Sequence, residues 1–506
     1  MRKMLLATVV LALGAAALSP ANGSQVPSAR PRVDSPAPNV VLFVVDDMTA
    51  EDLDYMPRTQ RLLVARGTNL TRNYSPFPLC CPARATILTG LYPHNHGVLD
   101  NVRPEGGFTA FEDHTTVATL IDDDYATGFT GKYFNDYAKD SAGRRYVPPG
   151  WDDWMASVEP GTYDFLRQTL NVNGRLVPRP GVYSTRLFGQ MGREFLSEHD
   201  TSGQPMFLYE AFVAPHHGIP RDPDDTDGVD TPYVEARYRD TYAGPTTTSD
   251  PSYNEADVSD KTAPYFETRQ APLTPAEEAA TAESLVQRRE SLRTVDDEIA
   301  ATLARLRELR ELSSTYVILV SDNGYNQGQH RISSGKNVPY ESAARVPLVI
   351  RGPGIPVGLD FEGVTGLQDL TPSILRMTNQ LRDQANPDFD GRSLVPLITG
   401  ARSTGRAQLI EIAKASTTAI EPLPPSAAPL HPNSGTVAWQ VHGIVTQDGW
   451  KYVEYPRTGA VEMYDLNADP YEMGNLSADS AYADKREELA QVLARYRWCD
   501  GAECRR

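Results

Sequence analysis

Hydrophobic positions along the chain gather into short unbroken runs, separated by longer stretches with helical spacing. Asn39-Val-Val-Leu-Phe-Val-Val45 places six apolar residues in succession without polar alternation, the pattern of a strand covered on both faces of a parallel sheet. Runs of the same kind recur at 126–130, 206–212, 316–320 and 346–350. Helical spacing fills the intervals at 57–65, 83–89, 182–196 and, in a long charged stretch, 275–312. The alternation predicts an α/β fold with a large mixed, mostly parallel sheet sandwiched by helices. Ligands in such sheets bind outside the carboxyl ends of the strands. Asp46-Asp47 follow the first run and Asp322-Asn323 follow Thr315–Ser321, so both acidic pairs fall at that edge.

After about residue 400 the pattern changes. Residues 436–455 read as a hairpin, with Gln447-Asp448-Gly449 at its turn, and 481–497 as a terminal helix. Together they predict a small C-terminal subdomain on an antiparallel sheet. The stretch 221–270, rich in Asp, Thr, Pro and Tyr, reads as a surface insertion that could form one rim of a cleft. No internal repeat is present.

The N-terminus has a basic start, Arg2-Lys3, then an uncharged apolar run over Met4–Leu18 and small residues through Ala21-Asn22-Gly23-Ser24. That is the pattern of a secretory signal peptide rather than of a membrane span, which needs about 20 apolar residues. The expected organisation is a signal peptide at 1–24, a Pro-rich linker at 25–38, a catalytic domain at 39–400 and the subdomain at 401–506. An exported or cell-envelope protein without a membrane span follows, the longest later apolar run being strand-sized.

Composition narrows the function. The 506 residues are 40% hydrophobic and 23% charged, ordinary for a protein with a large core. Lys and Arg number 48 against 66 Asp and Glu, a net charge of −18, and loss of Arg2 and Lys3 would make it 46 − 66 = −20. Nucleic acid and anionic lipid are poor partners for such a chain. An anionic substrate would need a local cluster of cations. The four cysteines are too few to staple a chain of this length. Cys499 and Cys504 at the C-terminus can close a small disulfide loop, which leaves the adjacent Cys80 and Cys81.

Those two open the most informative segment, Leu79-Cys-Cys-Pro-Ala-Arg-Ala-Thr-Ile-Leu-Thr-Gly90. Pro82 suits the first turn of a helix, where its missing N–H costs nothing. Cys80 then lies just ahead of the helix N-terminus, and Arg84 returns to the same face one turn later. Nucleophile, helix dipole and guanidinium would converge on an anion. A buried cysteine pair with Arg84 in an ion pair fits the same residues, and Asp46-Asp47 taken alone fit helix capping.

The segment Cys80-x-Pro82-x-Arg84 with Leu88-Thr89-Gly90 resembles the signature of the type I, formylglycine-dependent sulfatases of the alkaline-phosphatase-like superfamily. With Tyr92-Pro-His-Asn-His96 it is similar to the N-acetylglucosamine-6-sulfatase branch. Further matching motifs follow in the family's order: Asp46-Asp47, Gly131-Lys132-Tyr133, Ala214-Pro-His216, Ser321-Asp-Asn-Gly324, Gly335-Lys336 and Met463-Tyr-Asp-Leu466. The resemblance implies that Cys80 is oxidised to Cα-formylglycine by a formylglycine-generating enzyme. The hydrated aldehyde would attack the sulfur of a sulfate ester, and its second hydroxyl would then expel sulfate. It implies a metal held by Asp46, Asp47, Asp322, Asn323 and residue 80. It also implies sulfate clamping by Arg84, Lys132 and Lys336, with His216 near the leaving oxygen. An oxygen donor set suits Ca2+, with Mg2+ the alternative, rather than zinc.

Two departures stand out. The histidine many sulfatases carry after the first lysine is absent, and Asn135 is the nearest polar substitute. In Ala214-Pro-His-His-Gly218, a glycine stands where proline is commoner, leaving His216 or His217 to face the pocket. His330 occupies a place where relatives also have histidine. The expected substrates are aryl or sugar sulfates, N-acetylglucosamine 6-sulfate among them. Phosphodiester or phosphonate monoester hydrolysis and non-catalytic binding of sulfated glycans are the competing readings.

Overall fold

Strand Asn39–Val45 is buried along its whole length because it is paired in parallel on both sides, with Met206–Ala211 and Thr315–Ser321. It lies in the interior of a ten-stranded sheet. In spatial order the strands are Leu359–Phe361, Thr68–Leu70, Leu348–Arg351, Thr315–Ser321, Asn39–Val45, Met206–Ala211, Ala126–Gly131, Asp153–Ser157, Arg167–Val172 and Arg175–Pro180. The five strands from Thr315–Ser321 to Asp153–Ser157 are mutually parallel, with antiparallel neighbours on either side.

In this computed structural model the described residues are 37–139, 143, 145–200, 203–222, 225, 230–242, 250–262, 271–381, 388–400, 406–415 and 437–505. The expected signal peptide and nearly all of the linker lie outside them. Among the described residues no helix is long and apolar enough to cross a membrane.

Both sheet faces are covered. Val40, Leu42 and Val44 pack with Ala83 and Ile87 of helix Cys80–Thr89 and with Ile374 of helix Leu370–Met377. Val41, Phe43 and Val45 pack with Phe188 and Phe195 of helix Ser184–His199 and with Leu292 and Ile299 of helix Pro275–Glu308. Each such side chain contributes roughly 1.5–3 kcal/mol on burial, which explains why unalternating runs form the sheet's centre. The long helix starts at a capping box, Thr274 with Glu277, and Pro275 occupies its first turn.

The C-terminal sheet has four antiparallel strands, Gln408–Ala415, Val437–Val445, Trp450–Tyr455 and Ala460–Asp465. Helix Ala483–Tyr496 packs on it through Leu489 and Leu493. The expected hairpin is its middle pair. The 221–270 insertion is less superficial than its composition suggests: Val234 and Val258 are buried, and Asp230 and Thr231 line the cleft described below. The Cys499–Cys504 disulfide is formed, while Cys80 and Cys81 are free and buried.

Candidate active site

Val45 pairs with Ser321, so the two acidic pairs leave the sheet side by side. Ser321 Oγ donates to Val45 O (2.9 Å) and accepts the Met48 N–H (2.9 Å), tying the two loops together. Asp47 turns away through a left-handed backbone, φ 68°, a conformation that costs about 1 kcal/mol or more for a non-glycine residue. Its N–H donates to Asp322 Oδ1 (3.1 Å), and Asn323 Nδ2 donates to Asp47 Oδ1 (2.6 Å).

Helix Cys80–Thr89 supplies the opposite wall and is buried throughout. It begins three residues earlier than the spacing indicates. Cys80 therefore lies in the first turn rather than ahead of it, because Pro82 falls among the N-terminal positions that have no intrahelical N–H bond. Asn101 Oδ1 accepts the Cys81 N–H at 2.8 Å. One turn on, Arg84 Nε donates to Asp322 Oδ2 (2.9 Å), Nη1 donates to Lys132 O (2.8 Å), and Nη2 lies 3.8 Å from Asp46 Oδ2.

Two lysines complete the cluster. Lys132 follows Gly131, where φ is 105° and a Cβ would lie 1.9 Å from Ala211 O. Only glycine turns the chain out of the sheet there. The Lys132 ammonium rests on Asp46. That of Lys336 rests on Asp47 and also donates to Cys80 Sγ at 2.8 Å. The Cys80 thiol donates to Asp46 Oδ1 at 3.4 Å. His216 Nδ1 bonds His217 O at 2.7 Å, leaving Nε2 directed at Asp47 Oδ2, 3.7 Å away. His216 thus faces the carboxylates, and His217 lines the wall of an open cavity of about 520 Å3 above Lys336.

The electrostatics follow from burial set against charge. Burial opposes ionisation of Asp46, yet Lys132, Arg84 and Lys336 hold it well below the usual carboxylate range. Asp47 is likewise lowered despite burial, by Lys336 foremost. Burial and the Asp46 charge raise Asp322 to about 6. Burial, with Asp46, pushes the Cys80 thiol up to about 11 against the pull of both lysines. Burial drops His216 to about 3, so its imidazole is neutral. As encoded, Cys80 is a thiol rather than a thiolate at neutral pH and a weak nucleophile.

One donor atom each from Asp46, Asp47, Cys80 and His216 lies within 4.8 Å of the others, a spacing that suits a cation. Asp47 Oδ2 and Asn323 Oδ1 are buried without a hydrogen-bond partner. Buried oxygens of this kind are what a hard cation would satisfy. Asp322 is not in the convergent group. Its oxygens accept from Arg84 and from the N–H groups of Asp47 and Asn323.

The family model described as Sulfatase matches residues 38–380, which span the sheet and every residue of this cluster. The chain belongs to the sulfatase family. Its relatives in this family of sulfuric ester hydrolases include the extracellular sulfatase SULF-1 homolog of Drosophila melanogaster, 32% identical over 372 residues. The match covers 71% of this chain and 31% of the fly protein, so the chain spans about a third of that relative. Human N-acetylglucosamine-6-sulfatase is 29% identical over 504 residues, covering 92% of this chain and 86% of the relative. The fold matches the solved structure of BT4656 in complex with its substrate D-glucosamine-2-N,6-O-disulfate. Its TM-score is 0.68 at 22% identity, over 90% of this chain and 97% of that one.

Within this sulfatase fold, three residues near the cluster had no signal in the sequence. Tyr163, from an irregular loop, stacks on His216 with ring centroids 4.5 Å apart, and Lys132 Nζ lies 4.9 Å over its ring. Arg288, within the long charged helix Pro275–Glu308, is buried and donates to Asp47 O and to Pro215 O (3.0 Å). Asn101 is the third. Asn135 does not reach Cys80: its backbone N–H donates to Cys81 Sγ (3.3 Å) and its amide to Tyr163 OH (3.1 Å). His330 pairs with Glu255 at 2.6 Å and lines a different cavity.

Proposed function

We propose that this sulfatase hydrolyses sulfate esters of sugars or aryl alcohols outside the cytoplasm, with residue 80, oxidised to Cα-formylglycine, as its nucleophile. The observation that carries this reading is the position of Cys80. Its Sγ lies 2.8 Å from Lys336 Nζ and 3.4 Å from Asp46 Oδ1, between three buried carboxylates and three cations. A thiol held at about 11 contributes little nucleophilicity there. A hydrated aldehyde supplies one hydroxyl to attack sulfur and a second to break the sulfated intermediate.

Asp46, Asp47, Asp322, Asn323 and residue 80 are the side chains that would hold a divalent cation, Ca2+ by the family's preference and Mg2+ the alternative. When bound, the ion acidifies the attacking hydroxyl and neutralises sulfate oxygen charge. The charge count favours this arrangement. Asp46, Asp47 and Asp322 balance Lys132, Lys336 and Arg84, so a divalent cation, with the Arg288 guanidinium behind Asp47, would leave a surplus of positive charge over a monoanionic sulfate ester. A transition state that gathers negative charge on the departing oxygen is stabilised by that surplus. We assign protonation of the leaving oxygen to Lys336, which lines the cleft. Neutral His216, whose Nδ1 bonds a carbonyl, offers Nε2 as an acceptor.

The 6-sulfate of N-acetylglucosamine is the substrate we favour, from the likeness to the human relative. We place catalysis in residues 39–400, with 401–506 as a C-terminal subdomain, and export by the N-terminal signal. Maturation requires a formylglycine-generating enzyme as partner. Peptide mass spectrometry across residue 80, with rates on nitrophenyl sulfate and on a nitrophenyl phosphodiester, tests the reading. The expected result is the aldehyde mass and faster sulfate release. An unmodified cysteine in active protein, or a faster phosphodiester, would overturn it.

A further inference from the structure

A second cavity, of about 340 Å3, shares no wall residue with the cleft above Lys336. Its walls come from the segment after Asp47, from helix Pro275–Glu308, from the segment between Asn323 and Lys336, and from the Pro470–Glu472 turn. Its volume suits one or two sugar rings.

Arg289 is the anomaly in this wall. It is 8% exposed, yet its Nε has no hydrogen-bond acceptor, and the nearest carboxylate oxygen, on Asp52, is 4.0 Å away. The guanidinium lies 3.9 Å over the ring of Tyr55, which is fixed edge-on by Tyr242 at 5.2 Å. Its neighbour Arg288 shares an unpartnered Nε, but its two terminal nitrogens donate to Pro215 O and Asp47 O. The buried Arg289 Nε–H, with no acceptor of its own, is left for an oxygen atom supplied from the cavity.

The cavity's charge restricts what those oxygens belong to. Six carboxylates line it against two guanidiniums, those of Arg289 and Arg345, and Arg345 is already paired with Glu51 and Glu341. Such a field rejects a sulfate or any other anion. It accepts a neutral ligand that both donates to carboxylates and accepts from a guanidinium, as vicinal hydroxyls do. Tyr471, 43% exposed, borders the cavity beside Pro470 and presents an aromatic face for the C–H side of a ring.

We infer that this cavity is a second binding site for an unsulfated, neutral saccharide unit, held by Arg289 and the cavity carboxylates and stacked on Tyr471. The inference does not depend on the catalytic reading, because unsulfated probes are not turned over.

Saturation-transfer NMR titrations of the full-length protein with glucose, galactose, N-acetylglucosamine and their methyl glycosides test it. At least one should bind saturably. Tyr471→Ala should weaken that binding about tenfold and leave turnover of nitrophenyl sulfate unchanged. Arg289→Gln should weaken it similarly. Should Arg289→Gln fold poorly, the exposed Tyr471 variant still decides. Three results would overturn the proposal: no saturable binding by any of these sugars; binding that survives Tyr471→Ala but is lost in Lys336→Ala, which would move the sugar to the catalytic cleft; or inorganic sulfate binding that Arg289→Gln removes, which would make the cavity an anion site.

Discussion

Helix Cys80–Thr89 has an ionic cluster at each end, and the two are built on opposite plans. At its N-terminus Cys80 and Arg84 meet three carboxylates and two lysines beneath an open cleft, and Asp47 Oδ2, Asn323 Oδ1 and Arg84 Nη2 are left without hydrogen bonds. Just beyond its C-terminus, Tyr92–Asn95 enter a sealed knot. His94 Nδ1 bonds Glu411 (2.8 Å) and Nε2 bonds Cys499 O (2.8 Å). Asp390 accepts from Tyr92 N (2.6 Å), Asn95 Nδ2 (2.9 Å) and Gly501 N (2.8 Å). Both regions are buried and both are ionic, so burial and charge by themselves do not mark function. Unpartnered buried oxygens beneath a cleft walled by Lys336 and His216 separate a site suited to ligands from a structural tie.

Removing the proposed nucleophile breaks the comparison most sharply. Cys80→Ala is expected to cost roughly 10⁴-fold or more in kcat, with a melting temperature close to that of the parent. Cys81→Ala, which removes the Sγ contacts with Asn135 and leaves a small void in the core, should cost far less in turnover. Equal losses in steady-state assays would place the nucleophile elsewhere. Asp47→Ala should remove bound metal and turnover together, as read by elemental analysis alongside kinetics, whereas chelation of the parent should be reversed by Ca2+. Metal retained by the Asp47 variant would sink its role as a ligand. Asp322→Ala, which also releases Arg84, should likewise remove metal and activity together, and retained metal would overturn its assignment as a ligand.

How much of this was legible in the sequence depends on whether burial leaves a local mark. Asn39–Val45 and Thr315–Ser321 were readable because both faces are covered and every residue is apolar or nearly so. Arg175–Pro180 was not, because an edge strand open to solvent carries two prolines and two arginines and no alternation. Thr68–Leu70 and Leu359–Phe361 are too short for any period. Asp46, Asp47, Asp322 and Asn323 could be placed because strand ends fix them, and Lys132, His216 and Lys336 through motifs. Arg288 and Tyr163 could not, since their roles come from long-range packing: one sits in a charged helix, the other in an irregular loop. The missing histidine raised a question that sequence could only pose, and the geometry directs Asn135 to Cys81 and Tyr163 rather than to Cys80.

The knot should respond to pH where the catalytic cluster's fold does not. Burial disfavours the His94 cation, but Glu411 outweighs it and raises the group from 6.5 to about 9. A folded-state value above the unfolded one gives stability that is complete below about pH 6.5 and lost as pH rises through 9. The contribution is about 3 kcal/mol. His94→Gln should therefore lower stability most at pH 6 and flatten its decline toward pH 9 in denaturant titrations. A parent whose stability is level between pH 6.5 and 9 would contradict the assignment.

The smallest effect expected is that of the disulfide. Cys499 and Cys504 are five residues apart, and closing so short a loop stabilises by about 2 kcal/mol in the chain-entropy picture. Its position adds a second consequence: Cys499 O accepts from both His94 and Asn95, so a loosened loop also slackens the tie that follows the nucleophile helix. Cys499→Ser with Cys504→Ser should thus lower the unfolding free energy by somewhat more than loop entropy alone, while kcat well below the transition stays unchanged. The two losses should also fail to add when His94→Gln is combined with the disulfide variant, because both act on one hydrogen bond. Full additivity in that cycle would show that the loop and the histidine stabilise the protein independently, and that the knot is two features rather than one.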